Sequence, residues 1–303
     1  MSKQNPAKEG YASSRGRKTH FRVIGMSQSR RPLLCIHGGP GMAHYYLHPL
    51  EEMATTGRQV VFYDQLGCGS SDRLGDSGEW SLELFLDELA AVRAAAGLER
   101  CHILAHGWGG MLALEHALRR PDGLESLVLS SAIASVPQWR EETMQLVSAL
   151  PNEVEASLRA HARTGTMSDA GYQRAVDAFF RRHLCRVNPW PECLERSLAS
   201  ARANPEAHNA LLGPSELEPG GELARWDILS RLGEVEVPTL VVSGRYDLTP
   251  PSMAASLYQG IPGSQWVVFE HSSNVPHLEE PQRYLEVLDG FLSKVEDVVR
   301  QRR

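Results

Sequence analysis

Glycine-rich segments follow two short apolar runs, and such segments can present backbone N–H groups to a bound anion. The run at 32–37 leads into Gly38-Gly39-Pro40-Gly41, and the run at 101–106 leads into Gly107-Trp108-Gly109-Gly110. Glycine allows the backbone to turn sharply and to approach a ligand oxygen closely. A glycine-rich turn after a strand is common, so the chemistry depends on which side chains accompany it.

Ionisable side chains accompany these segments. His37 and His106 end the two apolar runs, and Asp247 follows a later run at 238–243. A histidine at a strand end is either a packed structural residue or a proton-transfer group. Asp247 and His106 are our candidate catalytic residues, in that order.

The elements that must position these residues alternate between strands and helices. Continuous rather than alternating apolar runs are typical of strands buried on both faces of a parallel sheet. Helical stretches at 81–97 and 109–119 lie between them, which predicts an α/β fold with a doubly wound sheet. The predicted strands of the first half are 32–37, 59–64, 101–106 and 124–131.

The pattern changes in the middle of the chain. Helical stretches dominate from 134 to 231, and strand patterns return at 238–243 and 265–270 before a last helix at 281–298. The later strands need the earlier ones as partners. We therefore predict one core, formed by 1–133 and 232–303, with a helical insertion at 134–231.

Composition excludes several classes of protein. The 303 residues carry a formal net charge of -6, which argues against a general nucleic-acid or anionic-membrane binder. No apolar run approaches the length of a membrane span, and the first residues lack a signal-peptide pattern. Five cysteines without a C-x-x-C pair indicate reduced thiols in the cytoplasm. We expect a small-molecule substrate, no metal and no cofactor.

Five ordered motifs give the chain a wider resemblance. Together they resemble the proline iminopeptidase family of α/β hydrolases over nearly the whole chain. The resemblance implies the α/β-hydrolase fold with a helical cap at 134–231. It also implies an oxyanion hole formed by the N–H groups of Gly39 and Trp108, and it assigns Asp247 as the family's acid. The motifs are the segments 37–41, 64–72, 105–110, 213–217 and 244–247.

The resemblance breaks at two catalytic positions. The family's nucleophilic serine belongs at position 107, where this chain has Gly107. The family's histidine belongs at the position separated by four residues from Glu279-x-Pro281, where this chain has Asn274. His271 and His277 are each out of register by three. The sequence leaves open whether one of these two histidines replaces the missing one. We expect Gly107, Asp247 and Asn274 to converge at one pocket.

The substrate-binding positions depart from the family as well. One glutamate that holds the substrate ammonium in the family is kept as Glu216, whereas a second is replaced by Leu248. Losing a carboxylate weakens the case for a cationic amine in the pocket. We expect Gly38, Tyr45, Glu216 and Leu248 to contact the substrate. Combined loss of serine, histidine and one glutamate favours natural divergence over an engineered knockout.

Three functions are compatible with this pattern. The preferred hypothesis is an enzyme that keeps the hydrolase pocket without acyl-enzyme chemistry and cyclises, isomerises or eliminates a small biosynthetic intermediate. The second is an aminopeptidase or amidase of the family type, either inactivated or using a route such as water activated by His106. The third is a non-catalytic ligand-binding protein.

Overall fold

An eight-stranded, mostly parallel sheet forms the centre of the molecule. The computed structural model describes residues 7–26, 30–74, 79–166, 168–215, 217 and 219–301. The strands are β1 (Ala7–Ser14), β2 (Arg17–Ile24), β3 (Leu33–Ile36), β4 (Val60–Tyr63), β5 (Cys101–His106), β6 (Leu124–Ser130), β7 (Thr239–Gly244) and β8 (Gln265–Phe269).

The sheet order is β1-β2-β4-β3-β5-β6-β7-β8. Strand β2 pairs antiparallel with both β1 and β4. In the sheet order, every neighbouring pair from β4-β3 to β7-β8 is parallel. Every residue of β3, β4, β5 and β7 is buried. The apolar runs of the sequence therefore became strands covered on both faces, and the predicted doubly wound sheet is confirmed.

Ten α-helices accompany the sheet within the described residues. They are α1 (Leu82–Ala95), α2 (Trp108–Leu118), α3 (Val136–Ser148), α4 (Asn152–Thr164), α5 (Ala170–His183), α6 (Glu192–Ala203), α7 (Glu206–Leu211), α8 (Pro251–Gly260), α9 (Pro276–Glu279) and α10 (Pro281–Gln301). None of them is long and apolar enough to cross a membrane.

The helices cover the sheet from two sides. Phe85 of α1, Met111 of α2 and Leu257 of α8 belong to one buried cluster with the strands. Leu50, in a 3-10 helix at His44–Thr56, and Leu288 of α10 belong to a second cluster. Two separate apolar layers are what a doubly wound sheet requires.

Helices α3 to α7 all lie between β6 and β7, although these two strands are neighbours in the sheet. Within the described part of 134–231, the β pairing is a single bridge between Ser135 and Asp227. Helices α4 and α5 share a small apolar cluster of their own that includes Leu158 and Phe179. The chain thus leaves the sheet at one strand and returns beside it.

Some elements were absent from the sequence prediction. The hairpin β1-β2 lies at the sheet edge, where β1 exposes five residues and lacks a continuous apolar run. Helix α6 lies inside the stretch 134–231 that was predicted to be mainly helical, and Pro191 directly precedes its first residue, Glu192. Proline is tolerated at a helix start because the first N–H groups have no intrahelical acceptor.

Candidate active site

The turn between β5 and α2 has the backbone of a nucleophile elbow. Gly107 joins the two elements with φ 53° and ψ -121°, and its N–H donates to Ser130 O at 3.1 Å. A Cβ atom at Gly107 would meet only Gly38 Cα, at 3.9 Å. A Cβ atom at Gly109, by contrast, would lie 2.7 Å from the carbonyl oxygens of Ile36 and His37. The elbow therefore requires glycine at 109, while position 107 has room for a side chain.

Two backbone N–H groups are available next to this elbow. Trp108 is the first residue of α2, and Gly39 lies in the loop after β3 with φ 119°. Within the described residues, neither N–H makes a hydrogen bond. Both residues line the same cavity as Gly107. The arrangement can stabilise negative charge on a carbonyl oxygen held there.

Asp247 lies behind the cavity wall and is held by five hydrogen bonds. Its carboxylate accepts from the Ser131 hydroxyl (2.6 Å), the Asn274 side-chain amide (2.8 Å), the Thr249 N–H and hydroxyl (2.9 Å each) and the Gly244 N–H (3.3 Å). Burial raises the pKa of Asp247 to about 6, although the hydrogen bonds to its charged form oppose this shift.

Asn274 and Thr249 separate this carboxylate from the cavity. Both line the cavity, whereas Asp247 is absent from its wall and is 1% exposed. A general base must come within hydrogen-bond reach of the proton that it removes. The geometry of Asp247 therefore favours a positioning role over direct proton transfer.

His106 links the two loops on either side of the elbow. Its Nε2 lies 2.8 Å from the backbone carbonyl of Asn274, which can only accept, so Nε2 carries the hydrogen. Its Nδ1 therefore accepts from the Tyr46 hydroxyl at 2.9 Å, and that hydroxyl accepts from the Gly38 N–H at 2.7 Å. Burial lowers the pKa of His106 to about 4. Both ring nitrogens are committed, which favours a structural role.

The inner cavity, defined by the residues below, has a volume of about 80 Å³. Its wall is mostly apolar, and no described carboxylate contributes to it. It is lined by Gly38, Gly39, Met42, His106, Gly107, Trp108, Met111, Ile133, Trp139, Leu184, His208, Leu212, Leu248, Thr249 and Asn274.

The outer cavity is larger, about 350 Å³, and more polar. Residues from α5, α6 and α7 line it, including Asp177, Arg202 and His208. Gly39, Met42 and His208 belong to both cavities, so the two meet at these residues.

The expected substrate-binding residues are dispersed. Gly38 and Leu248 line the inner cavity. Tyr45 contributes to neither cavity and instead packs its ring against the Arg196 guanidinium at 3.6 Å. Glu216 lies outside the described residues. Gly38 and Leu248 thus lie together, Tyr45 lies outside both cavities, and the role of all four residues in substrate binding stays a prediction.

Neither neighbouring histidine occupies the position of Asn274. His271 is exposed, and its N–H donates to Glu280. His277 is buried, donates from Nε2 to the Tyr46 carbonyl at 3.0 Å, and has its pKa lowered to about 3 by burial. Both are absent from the inner cavity wall.

His37, Asp64 and Cys68 form a group whose ligand atoms lie within 4.8 Å of one another. His37 Nε2 accepts from the Gln65 N–H at 3.0 Å, and Asp64 accepts from the His44 ring at 2.7 Å. The Cys68 thiol donates to the Gln65 carbonyl at 3.1 Å. Hydrogen bonds within the protein account for this group without a metal ion.

Sequence reasoning missed two polar residues of the inner cavity. Thr249 is its only hydroxyl-bearing residue among those described, and His208 comes from the distant helix α7. Thr249 follows Asp247 by two residues, a spacing at which a hydroxyl can bond the aspartate. No comparable signal surrounds His208.

The comparisons with known proteins agree with this geometry. The family model for the alpha/beta hydrolase fold matches residues 31–281. Proline iminopeptidase of Clostridium botulinum is 36% identical over 290 residues, covering 94% of this chain and 98% of that relative. The chain also resembles the crystal structures of VinJ (TM-score 0.92, 35% identity, 95% of this chain and 99% of that chain) and of proline iminopeptidase from Mycobacterium smegmatis (TM-score 0.90, 36% identity, 96% and 100%). The chain therefore belongs to the proline iminopeptidase family of α/β hydrolases.

Proposed function

We propose that this protein binds a small neutral carbonyl compound in the inner cavity and activates it without a covalent acyl-enzyme. The carbonyl oxygen rests on the N–H groups of Gly39 and Trp108. One observation carries this proposal: Gly107 keeps the elbow backbone and lines the cavity but has no side chain to attack a carbonyl.

Among the described residues, no hydroxyl or thiol is free to attack a carbonyl in the inner cavity. Thr249 is the one hydroxyl among the described residues of the inner cavity, and it donates its hydrogen to Asp247. The Cys68 thiol is fully buried, is absent from the cavity wall, and has a pKa raised well above its usual range by burial. Attack must therefore come from water or from a group of the substrate itself.

The lining supports a neutral rather than a cationic acyl group. Leu248 stands where the resemblance implies a family glutamate, and Ile133, Leu184 and Leu212 line the same cavity. An ammonium group without a carboxylate partner would lose hydration there without compensation. Trp139 also lines the cavity, and its indole N–H has no partner among the described residues. It can donate to a neutral polar substrate.

Hydrolysis is the reaction class that the comparisons favour. Attack by water on an activated carbonyl is hydrolysis, and attack by the substrate's own nucleophile is cyclisation. The relatives reported above include proteins named proline iminopeptidases, and none is named for a cyclisation, isomerisation or elimination. The narrower expectation of a cyclase, isomerase or lyase in biosynthesis has no support, so an amide or ester hydrolase without a serine nucleophile is the better-supported form of the proposal.

We further propose that 134–231 acts as a cap over the cavity. Trp139 of α3 and His208 of α7 contribute to the inner wall, and α5 and α6 contribute to the outer one. Substrate would then reach Gly107 from the outer cavity. We place the protein in the cytoplasm as part of the same proposal, which is supported by the free state of all five cysteines.

The experiment compares the natural chain with the double variant Gly107→Ser/Asn274→His on prolyl p-nitroanilide and p-nitrophenyl butyrate. We expect the natural chain to turn over the anilide on the order of 10⁴-fold or more slowly than an intact triad would allow. Intact mass after acid quench should show no acyl adduct on the natural chain. An adduct, or butyrate turnover unchanged by restoring the serine and histidine, would contradict the proposal. The anilide carries an ammonium that the apolar lining disfavours, so it should be the poorer substrate of both proteins.

A further inference from the structure

His208 occupies the junction between the two cavities. It lies on α7, far in sequence from the elbow, and it lines both the inner and the outer cavity. Gly39, which offers one of the two free N–H groups, lines the same junction. A substrate whose carbonyl rests at Gly39 and Trp108 therefore passes beside the imidazole of His208.

The ring of His208 is uncommitted, in contrast to the other histidine of the inner cavity. His106 uses both nitrogens, toward Tyr46 and toward the Asn274 carbonyl. Within the described part of the chain, the His208 side chain makes no hydrogen bond, ion pair or ring contact. A neutral imidazole with a free nitrogen can accept a proton and return it.

We propose that His208 is the catalytic residue that transfers protons to and from the substrate in the inner cavity. This inference rests on the proposed function. When water attacks, one O–H bond of water breaks as its oxygen bonds the carbonyl carbon, and the π electrons move to the oxygen held by Gly39 and Trp108. The proton goes to the His208 imidazole. As the carbonyl re-forms, the bond from its carbon to the leaving group breaks, and the imidazolium gives the proton to the leaving group's electron pair.

The same arrangement predicts a simpler reaction that requires no knowledge of the natural substrate. With a small ketone, the imidazole removes a proton from the carbon next to the carbonyl, and the electron pair moves onto the oxygen as an enolate. In D₂O the carbon then takes back a deuteron. The two N–H groups stabilise the enolate oxygen just as they stabilise the oxyanion of hydrolysis.

Few charged groups surround His208 in the two cavities. His106 is the other ionisable residue of the described inner wall, and Tyr172, Asp177 and Arg202 are those of the outer wall. The acid and the guanidinium line only the outer cavity, and both ring nitrogens of His106 are hydrogen-bonded. His208 is therefore the free proton acceptor among the described residues of the inner wall.

The test follows deuterium exchange into cyclopentanone by proton NMR, with exchange in buffer subtracted. We expect the natural chain to accelerate exchange and His208→Asn to lose about 10²-fold or more of that acceleration. The matched control is His271→Asn, which removes an exposed histidine outside both cavities and should exchange like the natural chain.

Saturation-transfer NMR of cyclopentanone on each protein separates the two proposals. Binding to the natural chain without exchange, or equal exchange by His208→Asn, would overturn the role of His208 and leave carbonyl binding intact. Absence of binding would overturn the proposed function and, with it, this inference. Binding by both proteins, with exchange only in the natural chain, supports both.

Discussion

The side-chain amide of Asn274 donates a hydrogen bond to Asp247 at 2.8 Å. In a Ser-His-Asp triad the histidine N–H makes this bond to the acid. Asn274 supplies a donor to the carboxylate, but its amide nitrogen cannot accept a proton from a nucleophile. Asp247 is therefore hydrogen-bonded to a side chain that cannot pass a proton on.

Asp247 should make the stability of the fold depend on pH. Burial raises its pKa to about 6 in the folded protein, above the usual value for an unfolded chain. A raised folded pKa means that the stabilisation is fully present below pH 4 and is lost as pH rises through 6. The free energy of unfolding of the natural chain, minus that of Asp247→Asn, should therefore fall by about 2 kcal/mol between pH 4 and pH 7. Urea denaturation at several pH values measures this, and a difference that rises with pH would contradict it.

Gly107→Ser should fold but should lose stability. The positive φ of 53° is costly for a residue with a Cβ atom, whereas the space around position 107 is open. We expect a loss of about 1–3 kcal/mol, with the same loss in Gly107→Ala as the matched control for strain. A fluorophosphonate probe should label Gly107→Ser slowly and Gly107→Ser/Asn274→His faster, and it should not label residue 107 in the alanine variant. Equal labelling of the serine and alanine variants would show that position 107 is not the reactive site.

The sheet could be predicted from the sequence because its strands are continuous apolar runs. The prediction for β5, Cys101–His106, matches to the residue because all six side chains are buried and a glycine follows. The hairpin of Ala7–Ser14 and Arg17–Ile24 could not be recognised in this way, since its outer strand is mostly solvent-exposed. Edge strands depend on pairing, which local hydrophobicity does not report.

Residues of the candidate site could be predicted from the sequence only where they lie in recognisable motifs. Gly39, Gly107, Trp108 and Asn274 all line one cavity, and each was located through motifs that follow strands. The state of His106 depends on Tyr46, 60 positions away, and on a carbonyl 168 positions away. Bonding at such separations is decided by tertiary packing, and this is why a free and a committed histidine look alike in the sequence.

Leu248→Glu should change which ligands the inner cavity accepts. The new carboxylate would lie in a mostly apolar wall, and no other carboxylate is present among the described residues of that wall. An ammonium-bearing ligand could then pair with it, whereas a neutral ligand would lose contact. We expect prolinamide to bind more tightly than cyclopentanecarboxamide in Leu248→Glu and more weakly in the natural chain, by calorimetry. Leu248→Gln is the matched control without charge, and a preference for prolinamide in that variant would rule out the electrostatic explanation.

Tyr46→Phe should weaken both the fold and the oxyanion hole. The Tyr46 hydroxyl accepts from the Gly38 N–H and donates to His106 Nδ1, so its removal leaves two buried polar groups without partners. Each such group costs about 1–3 kcal/mol, and the loop that carries Gly39 loses its anchor. The matched control is Tyr63→Phe, because Tyr63 is equally buried and its hydroxyl has no partner among the described residues.

Chemical denaturation should therefore show a clear loss for Tyr46→Phe and little change or a gain for Tyr63→Phe. Cyclopentanone exchange should fall in Tyr46→Phe because the N–H of Gly39 is no longer held at the oxyanion position. Equal stability of the two variants would mean that the Gly38 and His106 bonds to Tyr46 contribute nothing. Unchanged exchange despite lost stability would mean that the loop is positioned by other contacts, such as the hydrogen bond from the Tyr46 N–H to the Ser197 hydroxyl at 3.0 Å.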